Sequence, residues 1–409
     1  MRRRMELNPV EFAPDSQGPL AGVRVLDMSR LMAGNMLSLQ LADFGAEVIK
    51  VEPPDGGDTL RHWKEGDLSV WWKVYARNKK SITLNTRSPK GVSLLKRLLP
   101  QAQVLIESFR PGVLEAMGLG LDQLHAINPK LVLVRVTGWG QTGPYSARPG
   151  FGTLIEGFSG FAAKNGFPDK PPALPNLGLA DMVAGLTAAS ATLIALREAE
   201  KKGGKGQMVD VSLLEPLMAI LGPDAALYKV TGRLAERTGN RTSITAPRNA
   251  YETSDGQWIV MSGATQRMTE RLFDAIGRPD MKEDPRFRTS ADRLRNIDAL
   301  DEILGEFVRR RTLAGNLVFF EQAQITFGPI NDALQVTQDR HVRERGILME
   351  LPDEDLGRIP MHAVTPRLSG TPGAIRFAAP RVGEHNGEIY GGLGLTGSDL
   401  GALASEGAI

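Results

Sequence analysis

Residues 23–52 read VRVLDMSRLMAGNMLSLQLADFGAEVIKVE, and this stretch decides the fold class. Its two ends, VRVLD (23–27) and EVIKVE (47–52), are rich in valine, isoleucine and leucine, as buried strands are. A helical pattern over Asn35–Phe44 lies between them. A strand, a helix and a second strand in this order predict a right-handed βαβ unit with two parallel strands.

The same alternation continues along the first half of the chain. Further strands are predicted at SITLN (81–85), VLIES (104–108) and LVLVRVTG (131–138), and helices at Lys90–Leu99, near Asp122–Ile127, and from Asp181 to about Glu200. This order predicts an α/β protein with a large Rossmann-like domain built on a mostly parallel sheet. The alanine-rich helix after Asp181 is expected to cover that sheet, because its small residues at 184, 185, 188 and 189 permit close backbone approach.

A second region begins after the arginine-rich stretch 233–248. There, AYETSDGQWIVMSG (250–263) places Asp255-Gly256 between two β-type runs, which predicts a hairpin. Charged helical sequence follows to about Arg311, so this region is predicted to form a smaller α+β domain. The tail after Gly346 is rich in proline and glycine and is expected to pack on the first domain or on a partner subunit.

Composition excludes several classes of function. The chain has 49 Lys+Arg against 47 Asp+Glu, a net charge of +2, which indicates no nucleic-acid surface. It has no cysteine, which excludes disulfides, thiolate zinc sites and a cysteine nucleophile, and its five histidines lack metal-type spacing, so no metal is predicted. The N-terminus has no apolar segment behind its arginines, and the uncharged run 182–196 is short and rich in small residues. A cytoplasmic protein without membrane contact is therefore predicted.

Glycine-rich and basic motifs lie where the predicted strands begin or end. GWGQTG (138–143) fits the dinucleotide pattern G-x-G-x-x-G, but PYSARPG follows and opens no helix, so an active-site loop is favoured over an NAD site. Arg77, Lys79 and Lys80 in ARNKKS precede a predicted strand, and Arg110 in SFRPG follows one. From the residues alone, these clusters are either phosphate contacts or solvated surface.

Asp181 is the only charged residue between Pro171 and Leu196. A carboxylate in apolar sequence is costly to bury without partners. Two roles remain open from the stretch itself: Asp181 caps the helix that follows, or it takes part in chemistry.

The ordered series of motifs resembles the family III coenzyme A transferases, which include formyl-CoA:oxalate and carnitine-type transferases and α-methylacyl-CoA racemases. The resemblance extends over nearly the whole chain. It rests on residues 22–58, on RNKKSITLN, VLIESFRPGVLEAMGLG, VTGWGQTGPYS, LADMVAGLTAASATLIAL and GKGQMVDVSLLE, and on APRNAYETSDG and EDPRFRTSADRLRN. No single motif is decisive, but the series in this order is specific.

The resemblance implies that Asp181 is a covalent nucleophile. It further implies that coenzyme A, a substrate and not a bound cofactor, lies against residues of three segments: Leu31, Met32, Ala33, Arg77, Lys79, Ser108, Phe109, Arg110 and Met117. It implies a homodimer of interlocked, ring-like protomers, with a large domain at 1–225 and 345–409 and a small domain at 245–335. The acid is expected to meet Arg148, Glu156, Lys164 or the loop 262–266.

The implied reaction is transfer of CoA from an acyl-CoA donor to a free carboxylic acid, through an aspartyl anhydride and an aspartyl-CoA thioester. Family members often have proline after AG in the first loop, where this chain reads LMAGN, and some have a polar side chain at Met32. A racemase of 2-methylacyl-CoA is the nearest alternative, but family racemases use a histidine thirty residues before the aspartate, and this chain has Phe151 there. A non-catalytic CoA-binding protein is a second alternative.

Overall fold

The structure is a computed structural model and describes residues 5–409. In chain order the strands are β1 (Asn8–Pro9), β2 (Arg24–Asp27), β3 (Glu47–Glu52), β4 (Lys79–Thr83), β5 (Val104–Glu107), β6 (Val132–Thr137), β7 (Met208–Ser212), β8 (Arg248–Glu252), β9 (Trp258–Ser262), β10 (Phe327–Pro329), β11 (Leu348–Asp353) and β12 (Gly357–His362).

The helices are α1 (Leu31–Asp43), α2 (Val70–Tyr75), α3 (Pro89–Leu98), α4 (Val113–Ala116), α5 (Leu121–Ile127), α6 (Gly152–Phe158), α7 (Phe161–Lys164), α8 (Leu179–Glu200), α9 (Leu214–Ile220), α10 (Asp224–Thr231), α11 (Gln266–Ala275), α12 (Ser290–Arg295), α13 (Ile297–Arg309), α14 (Leu313–Gln322), α15 (Ala333–Gln338), α16 (Arg340–Glu344), α17 (Asn386–Gly391) and α18 (Gly397–Ser405). Short 3₁₀ turns lie at Thr59–His62, Leu99–Gln101 and Pro279–Lys282.

The chain forms two compact units. The larger one comprises Glu6–Phe161, Leu174–Pro223 and Arg340–Ile409, and the smaller one includes Ala162–Ala173 and Asp224–Asp339. The segment Ala162–Ala173 thus belongs to the smaller unit, although the sequence places it in the large domain.

A six-stranded sheet in the order β4-β3-β2-β5-β6-β7 forms the centre of the larger unit, and every neighbouring pair is parallel. This confirms the predicted α/β class. The first βαβ unit is also as predicted, with Val25 beside Val48 and Leu26 beside Ile49. Strand β4 begins two residues earlier than the predicted 81–85, so that Lys79 and Lys80 lie inside the sheet.

Helix α8 covers one face of the sheet beside α1. Its alanines at 180, 184 and 188 are fully buried in an apolar cluster with Leu37 and Val134. A Cβ at Gly185 would lie 2.6 Å from the carbonyl oxygen of Ala33, so glycine sets the close approach of α8 to α1 that the sequence predicts. Helix α8 has 22 residues and is long and apolar enough to cross a membrane, which the uncharged run 182–196 alone is not. One face of α8 packs against the sheet and α1, and the other face, which includes Ile194, is exposed.

The other face of the sheet is covered by α3, by the α4–α5 segment and by the C-terminal helix α17. Leu94, Leu98, Leu124 and Tyr390 are buried together there. The tail adds the antiparallel pair β11–β12, which β1 joins in parallel. The tail after Gly346 thus packs on the larger unit, one of the two places expected for it.

The smaller unit contains an antiparallel sheet in the order β10-β9-β8. The predicted hairpin is confirmed: β8 pairs with β9, and Gly256 adopts φ +69° in the turn between them, a conformation that glycine permits. Helices α11, α13 and α14 bury Leu272, Leu304 and Phe320 against this sheet.

Candidate active site

A cavity of about 350 Å³ lies in the larger unit at the carboxyl ends of β2, β5 and β6. The segments that follow these strands line it, together with Asp181 at the start of α8. The lining residues are Arg30, Leu31, Ala33, Gly34, Thr59, Ser108, Phe109, Arg110, Pro111, Val136, Thr137, Gly138, Ser146, Arg148, Pro149, Gly150, Phe151, Asp181 and Leu213. Ligands of open parallel sheets bind at this edge, so the cavity is the candidate site.

Asp181 is the third residue of α8, whose N-cap is Gly178 without a side-chain hydrogen bond. The cap role considered from the sequence is therefore wrong, because the helix begins two residues before Asp181. The Asp181 carboxylate lies against the backbone of Gly152, where a Cβ would be 2.1 Å from Oδ2. Glycine at 152 gives the carboxylate room to lie there.

Burial, and after it the nearby charge of Glu156, together raise the pKa of the Asp181 carboxyl from 3.8 to about 6. Glu156 is itself buried on α6, and its Oε1 accepts a hydrogen bond from the backbone amide of Ala180 at 3.2 Å. In residues 5–409, no ion pair includes Asp181. The site thus holds a carboxylate whose ionised form lacks the cation that would normally stabilise it, which is typical of functional groups.

The loop between β2 and α1 lines the cavity in a strained conformation. Leu31 has φ +61°, unusual for a side chain with a Cβ, and its amide donates to Oδ1 of Asp58 at 3.0 Å. The other Asp58 oxygen accepts from Asn35 at 2.9 Å and pairs with Lys50 at 2.9 Å. This buried network holds the first turn of α1, where the amides of Met32 and Ala33 have no acceptor within the helix.

Three arginines on three different loops line the cavity. Arg30 and Arg110 lie on the loops after β2 and β5, and the amide of Arg30 donates to Oγ of Ser108 at 3.1 Å. Arg148 lies on the loop between β6 and α6. All three are exposed, and none pairs with a carboxylate in the described part of the chain. The cavity therefore presents positive charge to an anionic ligand.

The structure brings together in this cavity Asp181 and five of the residues predicted to contact CoA, namely Leu31, Ala33, Ser108, Phe109 and Arg110. Met32 is adjacent but points away, packing with Leu60, Trp72 and Ala76. Met117 ends α4 and packs against the core.

Arg77 and Lys79 lie inside the protein and not at the cavity, which corrects the expectation that they contact phosphates. The Arg77 guanidinium pairs with Asp43 at 2.7 Å and donates to the carbonyl of His362 at 2.7 Å. Lys79 is buried, donates to Asn35 Oδ1 at 2.9 Å, and has its pKa lowered to about 7 by burial. Their partners come from distant segments, so no local sequence pattern marks these charges as internal.

Several cavity residues were missed or left unranked by sequence reasoning. Arg30 and Gly150 had no assigned role, and Arg148 was one of several possible acid contacts. The glycine-rich loop 138–143 opens no helix, as predicted: Gly140 has φ +88°, and the amide of Gln141 donates to Asp210 at 3.0 Å. Phe151 lines the cavity at the position where family racemases carry histidine.

Among residues 5–409, no cluster of three or more His, Asp or Glu side chains is arranged to hold a metal ion. Lys164 lies in the smaller unit, where it pairs with Asp224 at 2.6 Å. The loop 262–266 also belongs to that unit.

Comparison with known proteins identifies the family. The family model "CoA-transferase family III" matches residues 20–386. Succinyl-CoA–D-citramalate CoA-transferase of Chloroflexus aurantiacus is 41% identical over 392 residues, covering 95% of this chain and 97% of that protein. Mouse succinyl-CoA:glutarate CoA-transferase is 33% identical over 378 residues, covering 92% of this chain and 86% of that protein.

The comparison with solved structures leads to a related protein of the same fold. The crystal structure of a CAIB/BAIF family protein from Brucella suis superposes with a TM-score of 0.81 at 30% identity, covering 92% of this chain and 100% of that one. The chain therefore belongs to CoA-transferase family III and is an enzyme of that family, as its sequence motifs predict.

Proposed function

We propose that this enzyme transfers CoA from an acyl-CoA donor to a free carboxylic acid, with Asp181 as the covalent nucleophile. The observation that supports this most directly is the position of Asp181: a half-buried carboxylate in a cationic cavity, with no cation bound to it. A carboxylate that serves only structure would be paired or exposed.

In the proposed first step, an ionised Asp181 oxygen attacks the thioester carbonyl, the C–S bond breaks, and CoA leaves as the thiolate. The product is a mixed anhydride of Asp181 and the donor acid. The thiolate then attacks the aspartyl carbonyl and releases the donor acid as a carboxylate, which leaves an aspartyl-CoA thioester. The acceptor carboxylate reverses both steps and departs as the new acyl-CoA. No proton is consumed or released overall.

The surroundings of Asp181 suit these steps. A pKa of about 6 leaves the carboxylate mostly ionised at pH 7, yet more basic than an ordinary aspartate and so a better nucleophile. The first-turn amides of Met32 and Ala33 are the available donors for a developing oxyanion, because the Met32 side chain is apolar and buried. Arg30 and Arg110 are placed to bind an anionic part of the coenzyme.

The cavity volume fits an acyl group and the adjoining end of the coenzyme, not the whole of CoA. Relatives in this family are named for succinyl-CoA as the donor, so succinyl-CoA is the donor we propose. A racemase needs a second acid–base group at the reacting carbon, and Phe151 provides none.

We also propose a cytoplasmic homodimer of interlocked protomers. Exposed apolar side chains on the larger unit, including Ile194 on α8 and Ile220 on α9, support self-association. Linked rings cannot separate without unfolding, so no folded monomer should appear on dilution. Sedimentation at nanomolar protein that shows a folded monomer would contradict the interlocked form.

The test replaces the nucleophile. Asp181→Ala should remain folded and bind CoA, because the unpaired arginines are untouched, while CoA transfer falls by a factor on the order of 10⁴ or more. Asp122→Ala, which removes an exposed carboxylate on α5, is the control and should retain full activity.

Trapping identifies the residue directly. Incubation of the unmodified enzyme with succinyl-CoA and then hydroxylamine should modify one residue, in the peptide that contains LADMVAG. With ¹⁸O in the Asp181 carboxylate, the label should appear in the released donor acid, because that oxygen bridges the anhydride. Substantial transfer by folded Asp181→Ala, or trapping of another residue, refutes the mechanism.

A further inference from the structure

Arg148 differs from Arg30 and Arg110, the other two cavity arginines, because its loop leads to the residue that Asp181 contacts. The loop 138–150 that carries it runs directly into Phe151 and Gly152, and Gly152 is the residue against which the Asp181 carboxylate lies. Arg30 and Arg110 instead belong to the loops after β2 and β5. Arg148 therefore lines the cavity from the loop that leads to the residue contacted by Asp181.

Packing holds this loop in place. Trp139 contacts Tyr145 and Phe158 with ring centroids 5.5 and 5.1 Å apart, and its Nε1 donates to the carbonyl of Pro149 at 3.0 Å. The Arg148 guanidinium lies 3.7 Å above the ring of Tyr145. An aromatic face fixes the plane of a guanidinium without neutralising its charge, and leaves its N–H groups free to bind an anion.

The anion best suited to this position is a carboxylate. A guanidinium presents two parallel N–H donors that match a carboxylate bidentately. In the described chain Arg148 has no carboxylate partner, although its loop borders the residue that Asp181 touches. If Asp181 reacts at one carboxyl carbon of the substrate, a second carboxylate on a short chain can reach Arg148 within the same cavity of about 350 Å³.

We propose that Arg148 is the specificity-determining residue that binds the second carboxylate of a short dicarboxylic acid, both as free acid and as its CoA monothioester. This inference rests on the proposed CoA transfer and assigns its substrate class to one side chain. Arg148 forms no covalent bond and moves no proton. A monocarboxylic acid of equal length would leave the guanidinium unpaired and would gain nothing from it.

The test compares two acceptors of the same chain length, succinate and butyrate, with butyryl-CoA as the common donor in both assays (isotopically labelled for the butyrate exchange). Arg148→Gln should lower kcat/KM for succinate by roughly 10- to 100-fold, the loss expected for a charge-assisted hydrogen-bonded pair, mainly through KM. The value for butyrate should change by less than about threefold. Arg148→Lys should recover part of the loss, because it restores charge but not the bidentate geometry.

Arg87→Gln is the matched control, since it removes an exposed arginine outside the cavity, and it should leave both acceptors unaffected. Equal losses for succinate and butyrate in Arg148→Gln would overturn the inference and assign Arg148 to the coenzyme. A wild-type enzyme that accepts butyrate as well as succinate would also overturn it.

Calorimetric titration of the enzyme with succinate separates this inference from the proposed function. If the unmodified enzyme transfers CoA to no acid, the proposed function is refuted. If Arg148→Gln nevertheless lowers the affinity for succinate, the contact between Arg148 and the dicarboxylate is retained. An unchanged succinate affinity together with unchanged transfer would refute the role of Arg148 and retain the transferase.

Discussion

Asp181→Asn should make this protein more stable at neutral pH while it abolishes transfer. Burial raises the pKa of the folded-state carboxyl to about 6, against an ordinary value of 3.8, so the folded state disfavours the ionised form. A difference of about two pKa units corresponds to about 3 kcal/mol of unfolding free energy that the charge costs above pH 6. Asparagine has nearly the same shape and carries no charge, so it removes that cost.

The difference in stability between Asp181→Asn and the unmodified enzyme should depend on pH. Below pH 3.8 the carboxyl is protonated in both states, and the two proteins should be equally stable. Between pH 3.8 and 6 the unfolded chain loses its proton first, so the stability of the unmodified enzyme falls relative to Asp181→Asn. Above pH 6 the variant should keep its full advantage of about 3 kcal/mol, which corresponds to roughly 3–4 °C in Tm for a chain of 409 residues.

Asp58→Asn is the matched control, because the same substitution should have the opposite effect. Lys50 and the amides of Leu60 and Leu31 hold the pKa of Asp58 down to about 2 despite its burial. Its ionised form is therefore favoured in the folded state, a contribution present above pH 3.8 and lost as the pH falls through 2. Asp58→Asn should lower stability at pH 7 by at least about 2 kcal/mol.

The assay is urea-induced unfolding of the three proteins at several pH values between 4 and 8. An Asp181→Asn variant that is no more stable than the unmodified enzyme at pH 7 would refute the reasoning, because Asp181 would then have a compensating partner. A constant gain at all pH values would show that the effect is not electrostatic.

Two glycine substitutions test the placement of Asp181. Gly152→Ala puts a Cβ 2.1 Å from Oδ2 of Asp181, and the end of that side chain can rotate away. Stability should therefore change little, while activity should fall on the order of 10²-fold because the carboxylate is displaced. Gly157→Ala on the same helix meets open space and is the control for both measurements. Gly185→Ala meets the Ala33 backbone oxygen at 2.6 Å, which cannot yield so easily, and thermal unfolding should show a loss of roughly 1–3 kcal/mol. Full activity in Gly152→Ala would contradict the contact between Gly152 and Asp181, and unchanged stability in Gly185→Ala would contradict the close approach of α8 to α1.

The sheet could be predicted from the sequence because its strands are continuous apolar runs. Strands such as β3 and β6 are buried on both faces, and their apolar runs end within a residue or so of the observed bounds. Strand β4 is the exception, because Lys79 and Lys80 made its first residues look like surface. The start of α8 was missed for a related reason: Asp181 resembles a helix cap, and Gly178, the actual N-cap, makes no side-chain bond to reveal it.

Site residues could be predicted where a single segment of sequence marks them as unusual. They could not be predicted where contacts between distant segments determine their position or conformation. An isolated aspartate in apolar sequence, within a series of family motifs, was enough to single out Asp181. The strained Leu31 was not apparent, because its conformation depends on Asp58, which is 27 residues away. The position of Glu156 beneath the start of α8 likewise depends on how α6 packs.

The charged residues of the larger unit fall into two groups, those with an ion-pair partner and those without one, and the sequence motif in which a residue lies does not determine its group. Arg77, Lys50 and Asp58 are buried, and each has at least one charged partner, so breaking one pair leaves an uncompensated charge and should cost stability. Asp181 and Arg148 line one cavity, and neither forms an ion pair in the described chain.

The Asp181 carboxylate is half-buried in the cavity without a cation, which is destabilising until a ligand supplies its complement. The exposed Arg148 offers its charge to a ligand without that cost. Arg77 of the motif ARNKKS belongs to the first group, and Arg148 in the loop between β6 and α6 belongs to the second. The stability gain expected for Asp181→Asn therefore follows from the burial of its charge, and the selectivity loss expected for Arg148→Gln follows from the removal of a cation that lines the same cavity.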